Sequence, residues 1–156
     1  NGYDEVIFMI SLNPGETLKP ITQVASGGEL SRIMLALKTV FAQKDNIDTL
    51  IFDEIDAGIS GKTAWKVSER MGELAGERQV ICITHLPQIA AMSDAHFMIE
   101  KTEQDGKTIT NIRALKQEER IAEIARLLGS DCITDTVLKN AKELKDLAEK
   151  TKTKMR

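Results

Sequence analysis

Two acidic residues at the end of an apolar run are the first candidates for chemistry in this sequence. Asp53 and Glu54 directly follow the apolar residues 50–52. An apolar strand that ends in two acids places the first one at the mouth of a sheet, where it can bind Mg²⁺ beside the phosphates of a nucleotide. The second acid, Glu54, can orient or deprotonate a water molecule. The alternative is an exposed acid pair that caps the next helix.

The letters Gly61-Lys62-Thr63 match the end of a P-loop but not its spacing. A P-loop needs a glycine, four residues and then Gly-Lys-Ser/Thr, so that backbone N–H groups can wrap the phosphates. The place of the first glycine is taken by Asp56, and carboxylates in such a loop would repel a polyphosphate unless a cation intervened. We therefore predict that Lys62 starts a helix and that these letters bind no phosphate.

The segment Ser26-Gly27-Gly28-Glu29 is the second candidate. A serine followed three residues later by Glu is a capping box, which stabilises a helix start by about 1 kcal/mol. A cap does not require two glycines, each of which lowers helix propensity by about 1 kcal/mol relative to Ala. Because glycines let another group approach a helix start that attracts phosphate, the pair favours an anion site. The third candidate, His85, follows another apolar run and could donate to a phosphate oxygen, although a lone histidine is more often structural.

These candidates need helices and strands that bring them together. Apolar residues at helical spacing predict helices at 26–43, 61–75, 87–92, 117–128 and 133–149. Continuous apolar runs predict strands at 3–12, 48–54 and 79–84, and Asp105-Gly106 predicts a hairpin. Buried strands separated by a helix indicate an α/β fold with a mainly parallel sheet, covered on both faces. The strand ends, where such sheets carry their chemistry, would then present Asp53 and His85.

The composition is that of a soluble globular domain. Of 156 residues, 42% are hydrophobic and 29% charged, and no apolar run approaches the roughly 20 residues that span a bilayer. Two cysteines make no disulfide framework, so we expect a cytoplasmic protein without a membrane partner. The net charge of −3 gives no basic field for nucleic acid. Residues 133–156 hold seven Lys or Arg and four Asp or Glu, which favours a solvated helix over a DNA contact.

Taken in order, the three candidates resemble the ATP-binding cassette (ABC) superfamily. SGGEL (26–30) is similar to its signature motif, TLIFDE (49–54) to its Walker B strand, and His85 to its switch histidine. The longer stretches NPGETLKPITQVASGGELSRIMLALK, FDEIDAGISGKTA and ITHLPQIAAMSD resemble more closely the chromosome-maintenance (SMC-like) branch, and within it DNA-repair ATPases. The likeness runs over essentially the whole chain. It implies that residues 1–156 are the C-terminal lobe of an ATPase head, with C-terminal helices at 117–149.

The resemblance implies a division of labour between this lobe and polypeptide outside it. Asp53 would help to hold Mg²⁺, Glu54 would activate the hydrolytic water, and His85 would contact the γ-phosphate of ATP. The P-loop would belong to the N-terminal lobe of the same head, across a long antiparallel coiled coil, so the isolated chain is expected to be inactive. The γ-phosphate held by the second head of a homodimer would be contacted by Ser26, Gly27, Gly28 and Glu29.

The resemblance also implies a D-loop at the interface between the heads, formed by Ala57, Gly58, Ile59 and Ser60. Most ABC proteins have an aspartate where this chain has Ser60, so a D-loop carboxylate is not expected here. The implied function is ATP-dependent head dimerisation in the repair of DNA double-strand breaks, with DNA bound through the full-length protein. Two alternatives stay open: a non-catalytic assembly lobe, and the head lobe of another SMC-type or Rad-type ATPase.

Overall fold

The computed structural model describes residues 2–11, 14–23, 26–41, 47–104, 107–129 and 133–155. Within these ranges the strands are β1 (Met9–Ile10), β2 (Lys19–Pro20), β3 (Thr49–Phe52), β4 (Gln79–Cys82), β5 (Phe97–Gln104) and β6 (Lys107–Ala114). The α-helices are α1 (Gly27–Phe41), α2 (Gly61–Ala75), α3 (Pro87–Met92), α4 (Gln117–Leu127) and α5 (Asp135–Met155). The strands pair as β1–β2 and β5–β6, both antiparallel, and β3–β4, which is parallel.

The parallel pair β3–β4 is the frame of the candidate site. Its register runs from Thr49 opposite Gln79 to Phe52 opposite Cys82, so both strands end at the same edge. The connection between them is α2, which has the predicted bounds 61–75. Parallel strands need such a crossover, and the pairing therefore brings together residues that are about thirty positions apart in the sequence.

Two apolar clusters fill the interior of the described chain. The first joins α1, β3, α2 and α3 through Leu35, Leu50, Phe52, Ile55, Val67, Met71, Leu74 and Ile89. The second joins α3, α4 and α5 through Ala90, Ala91, Met92, Ile124, Ala125, Ala141 and Ala148. The alanines of the second cluster let three helices approach each other closely. Because α3 contributes to both clusters, it links the sheet to the C-terminal helices.

Among the described residues, one face of the parallel pair is exposed, so the predicted cover is seen on one face only. Strand side chains alternate between faces, and the burial of Leu50 and Phe52 leaves Ile51 on the opposite side. Ile51 is 68% exposed, and Ile81 and Ile83 lie exposed on the same side of β4. We call Ile51, Ile81 and Ile83 the open sheet face. A continuous apolar run predicts that both faces are buried, but it does not identify what buries them.

The predicted strand at 3–12 is also wrong over most of its length. Within the described residues only Met9–Ile10 forms a strand, and it pairs with Lys19–Pro20. Val6, Ile7 and Phe8 expose most of their surface. A strand is stable when neighbours satisfy its backbone and cover its side chains, and here the pairing extends over two residues only.

The other predicted boundaries differ from the observed ones by a few residues. β3 and β4 stop before Asp53 and Ile83, because the chain turns into the loops that carry the candidate site. The α1 helix begins after Ser26, and positions 42–43 of the predicted helix lie outside the described residues, as do Asp105-Gly106 and Cys132. The last helix, α5, continues to Met155 instead of ending at 149.

Two buried lysines hold α5 against α3 and the residues that follow it. The Lys145 ammonium donates to the backbone oxygens of Ala91 and Ser93, each at 2.8 Å. Two turns further on, Lys152 donates to Asp94 Oδ1 at 2.9 Å and contacts Glu149 at 2.9 Å. The lysine-rich end is therefore partly buried against the rest of the chain, and not the fully solvated face that its composition predicts.

Among the described helices, none has both the length and the apolar character needed to cross a membrane.

Candidate functional site

The two acids lie in the tight turn that follows β3. Asp53 Oδ1 accepts a hydrogen bond from the Glu54 backbone N–H at 2.9 Å, and Ser31 Oγ on α1 donates to the Asp53 carbonyl at 2.9 Å. Glu54 has a φ of 55° and is the one non-glycine residue with positive φ in the described chain. Such a backbone costs of order 1 kcal/mol or more and persists where the surroundings hold it.

An arginine on α1 holds this turn in place. The Arg32 guanidinium donates to the carbonyl oxygens of Ile55 at 3.2 Å and Ala57 at 2.9 Å. The turn is closed by the Ala57 N–H, which donates to the Glu54 carbonyl at 3.0 Å. Sequence reasoning missed both Ser31 and Arg32. Both lie one turn after the glycines of α1. That position is a weak signal, because it does not reveal partners that lie more than twenty residues away in the sequence.

The two glycines of α1 allow its first turn to touch the acidic turn. A Cβ at Gly27 would lie 2.7 Å from Glu54 Oε2, and a Cβ at Gly28 would lie 2.8 Å from both the Glu54 carbonyl oxygen and Ala57 Cβ. Glycine was expected here because another group approaches the backbone, and in this chain that group is the chain's own acidic turn. The Glu54 carboxylate thus lies at the start of α1, where a negative charge is stabilised.

The four residues at the start of α1 differ in their access to a ligand. Ser26 Oγ accepts the Glu29 N–H at 3.2 Å, which is the helix cap that the sequence predicts. Ser26 and Gly27 are exposed, Glu29 is half-buried, and Gly28 is buried beneath Ala57. A phosphate that approaches this helix start would therefore meet Ser26 and Gly27 first.

The carboxylate of Asp56 joins the ends of the two strands. Asp56 Oδ2 accepts from Thr84 Oγ1 at 2.6 Å and from the His85 backbone N–H at 2.8 Å, and it lies 3.0 Å from His85 Nδ1. Burial alone would raise the pKa of Asp56, but the hydrogen bonds from Thr84 and His85 outweigh it and lower the pKa below its ordinary value. The Asp56 side chain therefore turns inward, whereas Asp53 and Glu54 are exposed.

The segment from Ala57 to Ser60 connects the acidic turn to α2. Gly58 has a φ of 72° and Gly61 a φ of 50°, conformations that favour glycine. Ser60 lies at the N-cap position of α2, and Lys62 lies in the first turn of that helix, as predicted. The Gly-Lys-Thr letters therefore start a helix.

The chain is similar to DNA repair protein RecN from several bacteria. It is 49% identical to RecN of Halalkalibacterium halodurans over 152 residues, 46% identical to that of Bacillus subtilis over 152 residues, and 51% identical to that of Vibrio cholerae over 143 residues. These alignments cover 97%, 97% and 92% of this chain, but only 27%, 26% and 26% of the relatives. The chain thus spans about a quarter of the length of the curated relatives it matches. No family model matches it.

A solved structure of an SMC ATPase, studied for ATP-driven dimerization and DNA-stimulated activation, has a similar fold. Its TM-score is 0.50 at 24% identity, over 76% of this chain and 70% of that chain. This likeness concerns the fold, and it agrees with an α/β lobe whose parallel sheet has two strands in this chain. By its identity to these relatives over more than nine-tenths of its length, the chain belongs to the RecN family.

Proposed function

We propose that this chain is the C-terminal lobe of an ATPase head that hydrolyses ATP only when other parts of a RecN protein complete it. The observation that carries the proposal is the common placement of Asp53, Glu54 and His85 at one edge of β3 and β4, where Glu54 contacts the start of α1. The likeness to RecN supports a role in DNA repair, and the SMC-type fold supports a head. A cytoplasmic location stays a prediction.

The two acids suit the roles proposed for them. Asp53 is a single exposed carboxylate with one oxygen fixed by the Glu54 N–H, and Mg²⁺ commonly takes one or two carboxylates together with phosphates and water. No three acidic, His or Cys side chains of the described residues converge on a common point. The ion would therefore depend on the phosphates of ATP. Glu54 is exposed and would orient a water molecule and accept its proton.

A second head would meet this lobe at the start of α1 and at the segment 57–60. Ser26 and Gly27 are exposed beside the acidic turn and would donate to the γ-phosphate bound by the partner head, with Glu29 behind them. Gly28 would contribute by letting the turn approach. Ala57, Gly58, Ile59 and Ser60 would line the interface as the D-loop.

The open sheet face is the place where we propose that the N-terminal lobe with its P-loop packs. Ile51, Ile81 and Ile83 present apolar surface that a soluble protein normally covers. A groove between α1 and β3 continues this surface and is lined by Leu30, Ser31, Met34, Lys38, Leu50, Ile51 and Phe52. A lobe that adds strands to this sheet would cover the isoleucines. It would also bring the ATP phosphates held by its P-loop to the edge that carries Asp53.

The catalytic role is tested with Glu54→Gln in the full-length RecN protein that contains this segment. Loss of a general base lowers turnover by about 10²- to 10⁴-fold, and the variant should accumulate ATP-bound head dimers. Glu143→Gln, on the exposed side of α5, is the matched control and should keep the parental rate. If Glu54→Gln hydrolysed ATP at the parental rate, Glu54 would not be the water activator.

The docking role is tested by co-expressing this segment with the P-loop lobe. Ile51→Asp places a charge on the open sheet face and should abolish co-purification of the two lobes. Leu147→Asp changes an exposed apolar residue of α5 in the same way and should leave co-purification intact. Equal loss of association in both variants would show that the segment merely fails to fold.

The second candidate, a non-catalytic assembly lobe, has one observation in its favour. Gly28 is already required by contacts inside the chain, so its presence does not by itself demand a phosphate. An ATP-independent head pair, together with unchanged turnover in Glu54→Gln, would favour this candidate.

DNA contact by α5 gains little support from the structure. Lys152 is engaged by Asp94, so among these three lysines only Lys150 and Lys154 are exposed.

A further inference from the structure

One carboxylate oxygen of Asp56 accepts two hydrogen bonds from the loop after β4 and lies close to a ring nitrogen of His85. Asp56 is 3% exposed, and its Oδ2 accepts from Thr84 Oγ1 and the His85 N–H while contacting His85 Nδ1 at 3.0 Å. Thr84 Oγ1 in turn accepts the Leu86 N–H at 3.0 Å. A buried carboxylate with several donors is held rigidly, because its displacement would leave each donor unpaired.

The histidine ring is fixed on one side and open on the other. The His85 side chain is 72% exposed, whereas that of Asp56 is 4% exposed. A carboxylate facing Nδ1 keeps the proton on that nitrogen, so the imidazole is held in one tautomer and one orientation. The second nitrogen, Nε2, is then the atom presented to a ligand. A ring without this contact would rotate about its side-chain bonds and lose that alignment.

We propose that Asp56 is a positioning residue, which holds the Nδ1 of His85 so that Nε2 faces the terminal phosphate of the bound nucleotide. The proposal rests on the proposed function, because it needs a phosphate within reach of His85. Asp56 itself stays buried and touches neither the nucleotide nor the water. Its effect on turnover would pass through the histidine ring, and this separates it from a residue that only stabilises the loop.

A double-mutant cycle in the full-length RecN protein that contains this segment tests the route of this effect. Asp56→Asn should lower kcat for ATP hydrolysis by about 10- to 100-fold, as for other partners that orient a functional histidine, with a smaller change in KM. His85→Ala should lower kcat as well, and adding Asp56→Asn to it should have little further effect. Asp146→Asn, an exposed Asp-to-Asn change on α5, should leave kcat unchanged.

Independent, multiplicative effects of the two substitutions would overturn the proposal, because Asp56 would then act on the loop and not through the ring. A second measurement remains decisive even if Asp56→Asn fails to fold. The ¹⁵N spectrum of histidine-labelled wild-type protein, with the His85 signals assigned by their loss in His85→Ala, should show the Nδ1–H tautomer in the neutral ring. A predominant Nε2–H tautomer would refute the contact on which the inference depends.

The proposed function and the positioning role of Asp56 are refuted by different results. A wild-type protein without ATPase activity, or a Glu54→Gln variant with parental activity, would refute the proposed function. The tautomer measurement would then decide alone whether Asp56 holds the ring. Normal loss of activity in Glu54→Gln and His85→Ala, combined with parental kcat in Asp56→Asn, would refute only the positioning role.

Discussion

Replacing each of the two signature glycines by alanine should have opposite consequences for stability. Both residues lie in the first turn of α1, so both substitutions gain up to about 1 kcal/mol of helix propensity. The added methyl group meets different neighbours. At Gly27 it meets the end of the flexible Glu54 side chain, and at Gly28 it meets Ala57 Cβ and the Glu54 backbone oxygen, both at 2.8 Å.

The difference between the two variants isolates the cost of close packing. The Glu54 carboxylate can swing away from a methyl group at position 27. The backbone at 54–57 cannot move as easily, because Arg32 holds two of its carbonyl oxygens. Forcing a methyl group into a packed site costs about 1–3 kcal/mol. Since the helix gain cancels in the comparison, Gly28→Ala should be less stable than Gly27→Ala by about 1–3 kcal/mol.

The comparison is measured by urea unfolding of the 156-residue chain, followed by the fluorescence of Trp65, the single tryptophan. Gly27→Ala should unfold at the wild-type urea midpoint or above it, and Gly28→Ala clearly below it, with equal slopes. Equal midpoints for the two variants, or a Gly28→Ala variant more stable than wild type, would refute the contact between the acidic turn and α1.

Three further predictions concern buried polar groups. The pKa of Asp56 is lowered on folding, so its stabilisation is complete above its ordinary pKa of about 4 and lost as the pH falls through the lower folded value. In urea unfolding, wild type and Asp56→Asn should therefore converge once the pH is below that folded value. Burial raises the pKa of Cys82 from 9.0 to about 12, so alkylation by iodoacetamide at pH 8, read by mass spectrometry, should be about a thousandfold slower than after unfolding. Lys145→Met should cost about 1–3 kcal/mol in thermal unfolding because two carbonyls lose their donor, whereas exposed Lys150→Met should cost less than about 0.5 kcal/mol.

The helices were predictable from the sequence because their signals are local. The bounds of α2 and α3 agree with apolar spacing and with Pro87 in the first turn of α3. The extent of the sheet was not predictable in the same way. The residues of β3 alternate between two sides in the structure, yet the apolar run at 50–52 looks alike on both. Periodicity predicts that a face is buried, but it does not identify what covers that face.

The contacts that shape the candidate site were not predictable for a related reason. Arg32 reaches carbonyl oxygens 23 and 25 positions away, and Asp56 is linked to donors 28 and 29 positions away. Spacing along the chain carries no information about side chains that bind backbone atoms across a fold. Glu54 and His85 could be proposed because their residue types suit the chemistry, whereas Asp56 resembled a solvated acid until its partners were visible.

In the proposed function, these contacts divide the work between this segment and the N-terminal lobe. Arg32, Ser31 and the two glycines fix the acidic turn against α1, and Asp56 fixes His85 against the same turn. The geometry of the acids and the histidine is therefore set inside this segment. The open sheet face has no corresponding internal partner among the described residues. A substitution in the acidic turn should thus alter ATP hydrolysis while leaving association of the two lobes intact. A substitution at Ile51 should prevent both association and hydrolysis, because a correctly shaped acidic turn has no effect without a phosphate beside it.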